Sequence, residues 1–175
     1  MKILDELLGA VRTIPDFPKA CIQFKDITPI FSNPALLRGA VVELAAPFRN
    51  AGITCVVGIE ARGFILGGML ADTLGVGFVP VRKPGKLPYE TVCETYDLEY
   101  GTDTLEMHVD ALGPADRVLI HDDVIATGGT AAATRRLAEH TGAAVVGFAF
   151  LVELGFLSGR NKLGNNMLVH SVLQY

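Results

Sequence analysis

From residue 53 onward the chain alternates short, unbroken apolar runs with stretches of helical period, and this alternation limits its possible folds more than any other feature. A strand that is apolar at nearly every position has to be buried on both faces, which requires a mostly parallel sheet covered by helices. Residues 53–59 (ITCVVGI) read as the first such strand. Ile65, Leu66, Met69, Leu70 and Leu74 then give a helix one buried face, with Gly75 as its stop, and residues 77–82 form the next strand. The pattern recurs as a strand over 117–122, a helix over 130–140 stopped by Gly142, a strand over 145–152 and a last strand over 167–173. The expected class is α/β, with a mostly parallel central sheet flanked by helices.

Two segments fall outside the alternation. Ile3, Leu4, Leu7, Leu8 and Val11 recur with helical period, so the chain is predicted to open with a short amphipathic helix that ends before Pro15. A loop rich in proline and aromatics follows. Asn33-Pro34 then reads as N-cap and first position of a helix with Leu37, Val41, Leu44 and Phe48 on one face. Pro47 should kink or end that helix early, before Gly52. Residues 1–34 are therefore expected to form an N-terminal helix and a small hood. The second segment, 83–103, carries Pro84, Gly85, Pro88 and Gly101, the composition of a long connection that is either a functional lid or a disordered stretch. Beyond it Leu105, Met107 and Val109 alternate with Glu106, His108 and Asp110 as in a half-exposed antiparallel strand, so the lid is expected to be mobile and to ride on a β-hairpin. With 175 residues the whole of 1–175 is read as one domain.

Charge narrows the function classes. A net charge of -4 offers no global positive field for DNA or an acidic membrane, so neither nucleic acid nor a lipid surface is an expected partner and any phosphate must be bound locally. Cys21, Cys55 and Cys93 form no C-x-x-C pair and four scattered histidines add no ligand set, which fits a reducing compartment without a structural metal. Asp5, Glu6 and Arg12 interrupt any signal-peptide pattern, and the apolar stretch 63–81 is broken by Asp72 and Pro80, so a cytoplasmic location is expected. The 19 glycines exceed the usual share of about 7% and call for tight turns or close approach of backbone to a ligand.

One stretch carries recognisable chemistry. No dinucleotide fingerprint, Walker A loop, nucleophile elbow or H-E-x-x-H occurs. Residues 118–130 (VLIHDDVIATGGT) instead combine a buried strand, two adjacent acids and a Thr-Gly-Gly-Thr that opens a helix. Backbone N–H groups at a helix N-terminus attract phosphate, and glycines let the backbone close around it. Ala126, Thr127, Gly128, Gly129 and Thr130 form the candidate cradle, with two hydroxyls as extra donors. Asp122 and Asp123, at the carboxyl end of a parallel strand, can accept hydrogen bonds from sugar hydroxyls. Phosphate and diol together describe a ribose phosphate. A solvated acid pair before an N-cap accounts for only part of the pattern.

These residues resemble the phosphoribosyl-diphosphate signature of the type I phosphoribosyltransferases. The likeness extends along the chain through FPKACIQFKDITPIF (17–31), EARGF (60–64), RKPGKLP (82–88), LEYG (98–101) and VEL (152–154), and is nearest to the branch of the family that uses adenine. It departs from the usual pattern at Ala20-Cys21, where Pro-Gly is common, at Ala61, often Ser, and at His121, commonly aliphatic. The resemblance implies an enzyme, a homodimer that transfers the 5-phosphoribosyl group from phosphoribosyl diphosphate to adenine, giving AMP and diphosphate, with Mg²⁺ bound mainly through substrate. It further implies that Gln23, Phe24 and Lys25 meet the adenine, with Phe24 stacking on it. Glu60, Ala61, Arg62, Arg82, Lys83 and Lys86 would meet the diphosphate.

Relatives that use 6-oxopurines commonly carry an acid directly before Thr-Gly, where this chain has Ala126. The acid must come from elsewhere, and the resemblance implies Glu99, followed by Tyr100, in the lid. Glu99, Tyr100 and Arg62 are thus the catalytic candidates. Two other readings compete: a 6-oxopurine transferase, which Ala126 argues against, and a non-enzymatic regulator that senses phosphoribosyl diphosphate, which should carry a DNA-binding module or basic face.

Overall fold

The computed structural model describes residues 2–97, 101–164 and 166–175. Its centre is a five-stranded, wholly parallel sheet in the order β4-β3-β7-β8-β9, formed by β3 (Cys55–Ile59), β4 (Gly77–Val81), β7 (Arg117–Ile125), β8 (Ala144–Glu153) and β9 (Leu168–Gln174). Alternate residues of each strand feed opposite cores. Cys55, Val57 and Ile59 of β3 join Val118 and Ile120 of β7 on the face covered by α5 (Gly129–His140). Val56 and Leu119 face α1 (Lys2–Ala10), α2 (Thr28–Ser32), α3 (Pro34–Ala45) and α4 (Gly63–Leu74). The all-buried β3 shows why its sequence has no polar alternation.

The helix ends follow their expected chemistry. The Asn33 side chain accepts from the N–H groups of Ala35 and Leu36, and Pro34 occupies the first turn of α3. Pro47 lies in a 3₁₀ turn over Ala46–Phe48 that terminates α3, the early end its missing N–H dictates. Gly75, left-handed at φ 69°, caps α4.

Three expectations need correction. The loop after α1 is partly a β-hairpin: β1 (Arg12–Pro15) pairs antiparallel with β2 (Gln23–Asp26), and Arg12 donates to Asp26 at 2.7 Å across it. The hood is therefore a small two-stranded sheet, and its turn places Cys21 at φ 69°. A β-carbon is disfavoured there, which accounts for the glycine common in the family. Secondly, the expected β-hairpin is present but takes up more of 83–103 than foreseen: β5 (Thr91–Asp97) pairs with β6 (Thr102–His108) over seven registered positions. Thirdly, β7 runs on to Ile125, three residues past the expected end at 122, so Asp123 as well as Asp122 lies inside the strand. Among the described residues no helix is long and apolar enough to cross a membrane.

The sheet order creates the functional cleft. From β3 the chain moves outward to β4, whereas from β7 it moves the other way through β8 to β9. The loops after β3 and β7 consequently diverge, leaving a crevice at the carboxyl ends of these two neighbours, where open α/β sheets bind ligands.

Candidate active site

A cavity of about 590 Å³ occupies this crevice. The loop after β3 (Glu60, Ala61, Arg62), the end of β7 (Asp122, Asp123, Val124), the hood strand β2 (Gln23, Phe24, Lys25) and the hairpin (Tyr96, Asp103, Leu105) all reach it. A recess of about 80 Å³ adjoins it and is walled by residues 122 and 124–131, sharing Asp122, Val124, Ala126 and Thr130 with the larger space. The predicted cradle, Ala126 to Thr130, is thus one continuous wall of a recess opening on the cavity.

The recess owes its form to backbone packing. Gly128 is left-handed at φ 76° and precedes the first turn of α5, whose N-terminus has no side-chain cap. Its unpaired N–H groups are left for an incoming acceptor. A β-carbon on Gly128 would lie 2.2 Å from the Gly159 carbonyl oxygen, and one on Gly159 would lie 2.2 Å from that of Ala126. Two backbone segments therefore touch where only glycine fits, and the cradle is locked by residues 33 positions further along the chain. Sequence reasoning had no signal for Gly159.

The acid pair differs from its expected state. Asp123 is buried at 5% exposure, and its Oδ2 lies 2.8 Å from Arg62 Nε as an ion pair. Asp122 has its Oδ1 on the N–H of Asp123 at 2.9 Å. Burial, together with the adjacent Asp123 carboxylate, pushes the Asp122 carboxyl well above the usual range. Expected exposure at a strand end is replaced by two carboxylates built into the cleft wall, one steadied by Arg62. Asp122 Cα lies 3.3 Å from the position a Gly63 β-carbon would take, so α4 begins directly against the pair.

The basic residues are already partnered. Glu60, with a side chain 6% exposed, takes Arg82 Nε at 2.9 Å and Lys86 Nζ at 2.7 Å. Burial alone would raise its carboxyl, but the hydrogen bonds from Lys86 and Arg82 more than reverse this and hold it below the ordinary value. Glu60 thus serves as the anchor for two cations. Arg82 and Lys86, expected at a diphosphate, turn toward Glu60 and do not line the cavity, whereas Lys83 does. Lys83 Nζ pairs with Asp103 at 3.0 Å, and this carboxylate raises the pKa of the ammonium group.

The hood closes the cavity from the other side. Phe24 is half-buried, meets Phe17 edge to face at 5.2 Å, and has the Arg62 guanidinium 5.7 Å from its ring centre. Lys25 directs its ammonium to Thr13 Oγ1 at 2.9 Å and over the Tyr175 ring at 4.2 Å, which ties the hood to the end of β9. Ile22, Val124 and Leu154 supply apolar wall opposite the polar groups. Such a slot suits a flat, partly apolar ring.

Tyr96 and Asp103 were missed. They face each other across the hairpin, and Tyr96 OH lies 3.1 Å from Thr130 Oγ1 in the cradle. The segment 91–97 was hidden inside a proline- and glycine-bounded stretch, although its Thr, Val and Tyr favour a strand. Glu99 and Tyr100 lie outside the described residues. Glu153 of the VEL segment holds Arg160 through two contacts of 2.6 Å and so belongs to the scaffold. Among the described residues no three His, Cys, Asp or Glu side chains converge as a metal cage. Two carboxylates beside an anion cradle do fit a cation that keeps its waters and is carried in on substrate oxygens, the habit of Mg²⁺.

Residues 29–162 match the phosphoribosyl transferase domain family. The chain is 56% identical over 169 residues to an adenine phosphoribosyltransferase of Synechococcus sp., covering 96% of this chain and 97% of that one. It also resembles the crystal structure of adenine phosphoribosyltransferase from Rhodothermus marinus, with 63% identity, a TM-score of 0.94 and 99% of each chain covered. The Saccharomyces cerevisiae adenine phosphoribosyltransferase, solved with D-2,5-dideoxy-2,5-imino-altritol 1,6-bisphosphate and adenine, matches at 43% identity with a TM-score of 0.91, over 98% of this chain and 99% of that one.

Proposed function

The chain belongs to the phosphoribosyl transferase family, in its adenine branch, and from that premise we infer how the cavity works. The enzyme transfers the 5-phosphoribosyl group from phosphoribosyl diphosphate to adenine, giving AMP and diphosphate, a purine salvage reaction. The observation that carries the assignment is the recess at the uncapped α5 N-terminus opening into a larger space that holds both the acid pair and the hood. A bisphosphate and adenine are bound by the yeast relative, which supports the same division of space here.

In this reading the 5′-phosphate takes the N–H groups and hydroxyls of Ala126 to Thr130, and Asp122 and Asp123 hold the ribose hydroxyls. Adenine lies in the hood slot against Phe24, with the backbone of Gln23 and Lys25 at its edge. Arg62 and Lys83 face the diphosphate, while Arg82 and Lys86, held by Glu60, stay outside the cavity lining and Ala61 leaves the loop unobstructed. Asp122 and Asp123 are the carboxylates that would face Mg²⁺ if it enters with the substrate, and it would supply charge neutralisation at the leaving group. As C1 leaves diphosphate for the purine nitrogen, the cation-like sugar is flanked by the acid pair, and the basic groups stabilise the departing anion without reorganising. Glu99, with Tyr100 beside it, handles the proton on the base. The 83–103 segment excludes water, which would otherwise capture the sugar. A homodimer in the cytoplasm is part of the same reading.

The test is to supply phosphoribosyl diphosphate, Mg²⁺ and, separately, adenine, hypoxanthine, guanine and xanthine. AMP should form readily and the 6-oxopurines should react poorly, because a mismatched purine edge leaves buried polar groups unpaired at a cost of up to about 10⁴ in rate. Comparable turnover of hypoxanthine or guanine would move the chain to the 6-oxopurine branch.

A further inference from the structure

The VEL segment at the end of β8 and the glycine wall of the recess are joined by a side chain that the reaction scheme does not use. After Leu154 the chain leaves the sheet in two short 3₁₀ turns, Gly155–Leu157 and Gly159–Lys162, whose residues are exposed except for buried Gly159 and half-buried Arg160. Gly159 is the residue whose backbone closes on Ala126 and Gly128. A loop this exposed, with Phe156 73% accessible, buries little apolar surface of its own, so that contact needs another anchor.

Arg160 supplies it. Its Nε and Nη2 donate to Oε1 and Oε2 of Glu153 at 2.6 Å each, its Nη1 to the Val169 carbonyl at 2.9 Å, and its Nη2 also to Ser171 Oγ at 3.3 Å. A guanidinium only donates and a carboxylate only accepts, so the Ser171 hydroxyl takes its bond from Arg160 and gives its own hydrogen to Glu153. These bonds, that of Arg160 first, hold the Glu153 carboxyl below its ordinary value against the effect of burial, so the pair stays ionised. The anchor is itself fixed. Glu153 is in register with Ile125, the residue before Ala126; its carbonyl takes the Tyr175 N–H at 2.9 Å, and the Leu154 N–H reaches the Ile125 carbonyl at 2.9 Å.

We propose that Arg160 is a positioning residue for the 5′-phosphate: by gripping Glu153 and the edge strand β9 it pins Gly159 against Ala126 and Gly128 and so sets the shape of the recess. The proposal rests on the assignment of the recess as the phosphate cradle. Its effect is one-sided, because Leu154, which lines the larger cavity, is held by the backbone ladder and not by the guanidinium.

The test compares the unaltered protein with Arg160→Met, Arg160→Lys and, as a measure of lost stability alone, Val41→Ala in the core on the α3 side of the sheet. The amide resonances of residues 126–130 are followed by NMR without ligand, ribose 5-phosphate binding by titration calorimetry, and steady-state constants for both substrates. Arg160→Met should shift those resonances, weaken ribose 5-phosphate about tenfold, the value of one charge-assisted hydrogen bond to the phosphate, and raise KM for phosphoribosyl diphosphate alike. KM for adenine and kcat should stay within about twofold. Arg160→Lys should show the same pattern at about threefold, since an ammonium group can meet Glu153 but not Val169 as well, and it carries the test if Arg160→Met does not fold. Unmoved resonances at 126–130, an equal rise in both KM values, or the same pattern in Val41→Ala would overturn the proposal. Resonances that move while ribose 5-phosphate binds as before would leave the brace standing and remove the phosphate assignment of the recess.

Discussion

The acid stability of the domain should hinge on one imidazole. His121 is fully buried on β7, opposite Ala149 of β8, and its Nδ1 lies 2.8 Å from the Ala149 carbonyl oxygen. A carbonyl can only accept, so Nδ1 carries the hydrogen and Nε2 is the bare nitrogen where a second proton would go. Nε2 is buried and has no hydrogen-bond partner among the described residues, so protonation there would leave a cation without an acceptor. Burial, opposed only in part by the Ala149 contact, brings the pKa down from 6.5 to about 4. The folded value lies below the unfolded one, so the unfolded chain takes up a proton first as pH falls. Stability from this group is complete above about 6.5 and declines as pH drops toward about 4. At about 1.4 kcal/mol per pH unit the loss over that window is roughly 3 kcal/mol.

His121→Val provides the comparison. It removes the bond to Ala149 and some volume, which should cost about 1 kcal/mol at pH 7.5, but it also removes the proton acceptor. Urea unfolding at one fixed protein concentration, repeated from pH 7.5 to pH 4, should therefore give curves that cross. The native chain should be the more stable near neutrality, and the variant by about 2 kcal/mol near pH 4. All other titrating groups are shared and cancel in the difference. Parallel curves would refute the argument and place the acid sensitivity elsewhere, the salt-bridged carboxylates held below their ordinary range, Glu60 and Glu153, being the first alternatives.

Two further outcomes are expected. Gly159→Ala should lower the melting temperature and weaken ribose 5-phosphate by more than about tenfold, because its β-carbon meets the Ala126 carbonyl at 2.2 Å and overpacking costs about 1–3 kcal/mol; an unchanged melt and affinity would mean the contact relaxes freely. Glu99→Leu should slow single-turnover AMP formation by about 10² to 10⁴ with little change in melting temperature, and an unaltered single-turnover rate would take Glu99 out of the proton transfer.

What could be read from the sequence divides along a physical line. Buried strands and helix caps were legible because each follows from local chemistry: the unbroken apolar run of β3, the Asn33 cap and the Pro47 stop all carry their reason within a few residues. The glycine-led, uncapped start of α5 was legible for the same reason, since its residues are consecutive. Pairings between distant segments were not. Nothing near Asp123 indicates that Arg62 lies 2.8 Å away, and nothing near Glu60 indicates Arg82 and Lys86, because the sheet order that joins them is a property of the whole fold. The hood hairpin was lost for a related reason: Arg12–Pro15 is exposed at every position and shows no apolar alternation, so its register is set by Arg12 and Asp26. Tyr96 escaped because a run bounded by proline and glycine reads as loop until its partner strand is known.

Those distant pairings bear on how an acidic chain can hold a polyanion. Arg62, Arg82, Lys83 and Lys86 each face a carboxylate, from Asp123, Glu60, Asp103 and Glu60 again. Bare clustered cations would repel one another and disperse their long side chains in solvent, whereas here each is fixed by a counter-charge before ligand arrives. If the cavity takes the diphosphate as proposed, Arg62 and Lys83, the two that line it, would be gained by exchange of partners at short range and not through a long-range field, which the net charge of -4 could not supply. Lys83 is the clearest case: it lines the cavity, and its counter-ion Asp103 stands on the hairpin opposite Tyr96. The cation and its counter-ion thus come from different elements, one following β4 and one on the hairpin that bridges to Arg82 through Glu106.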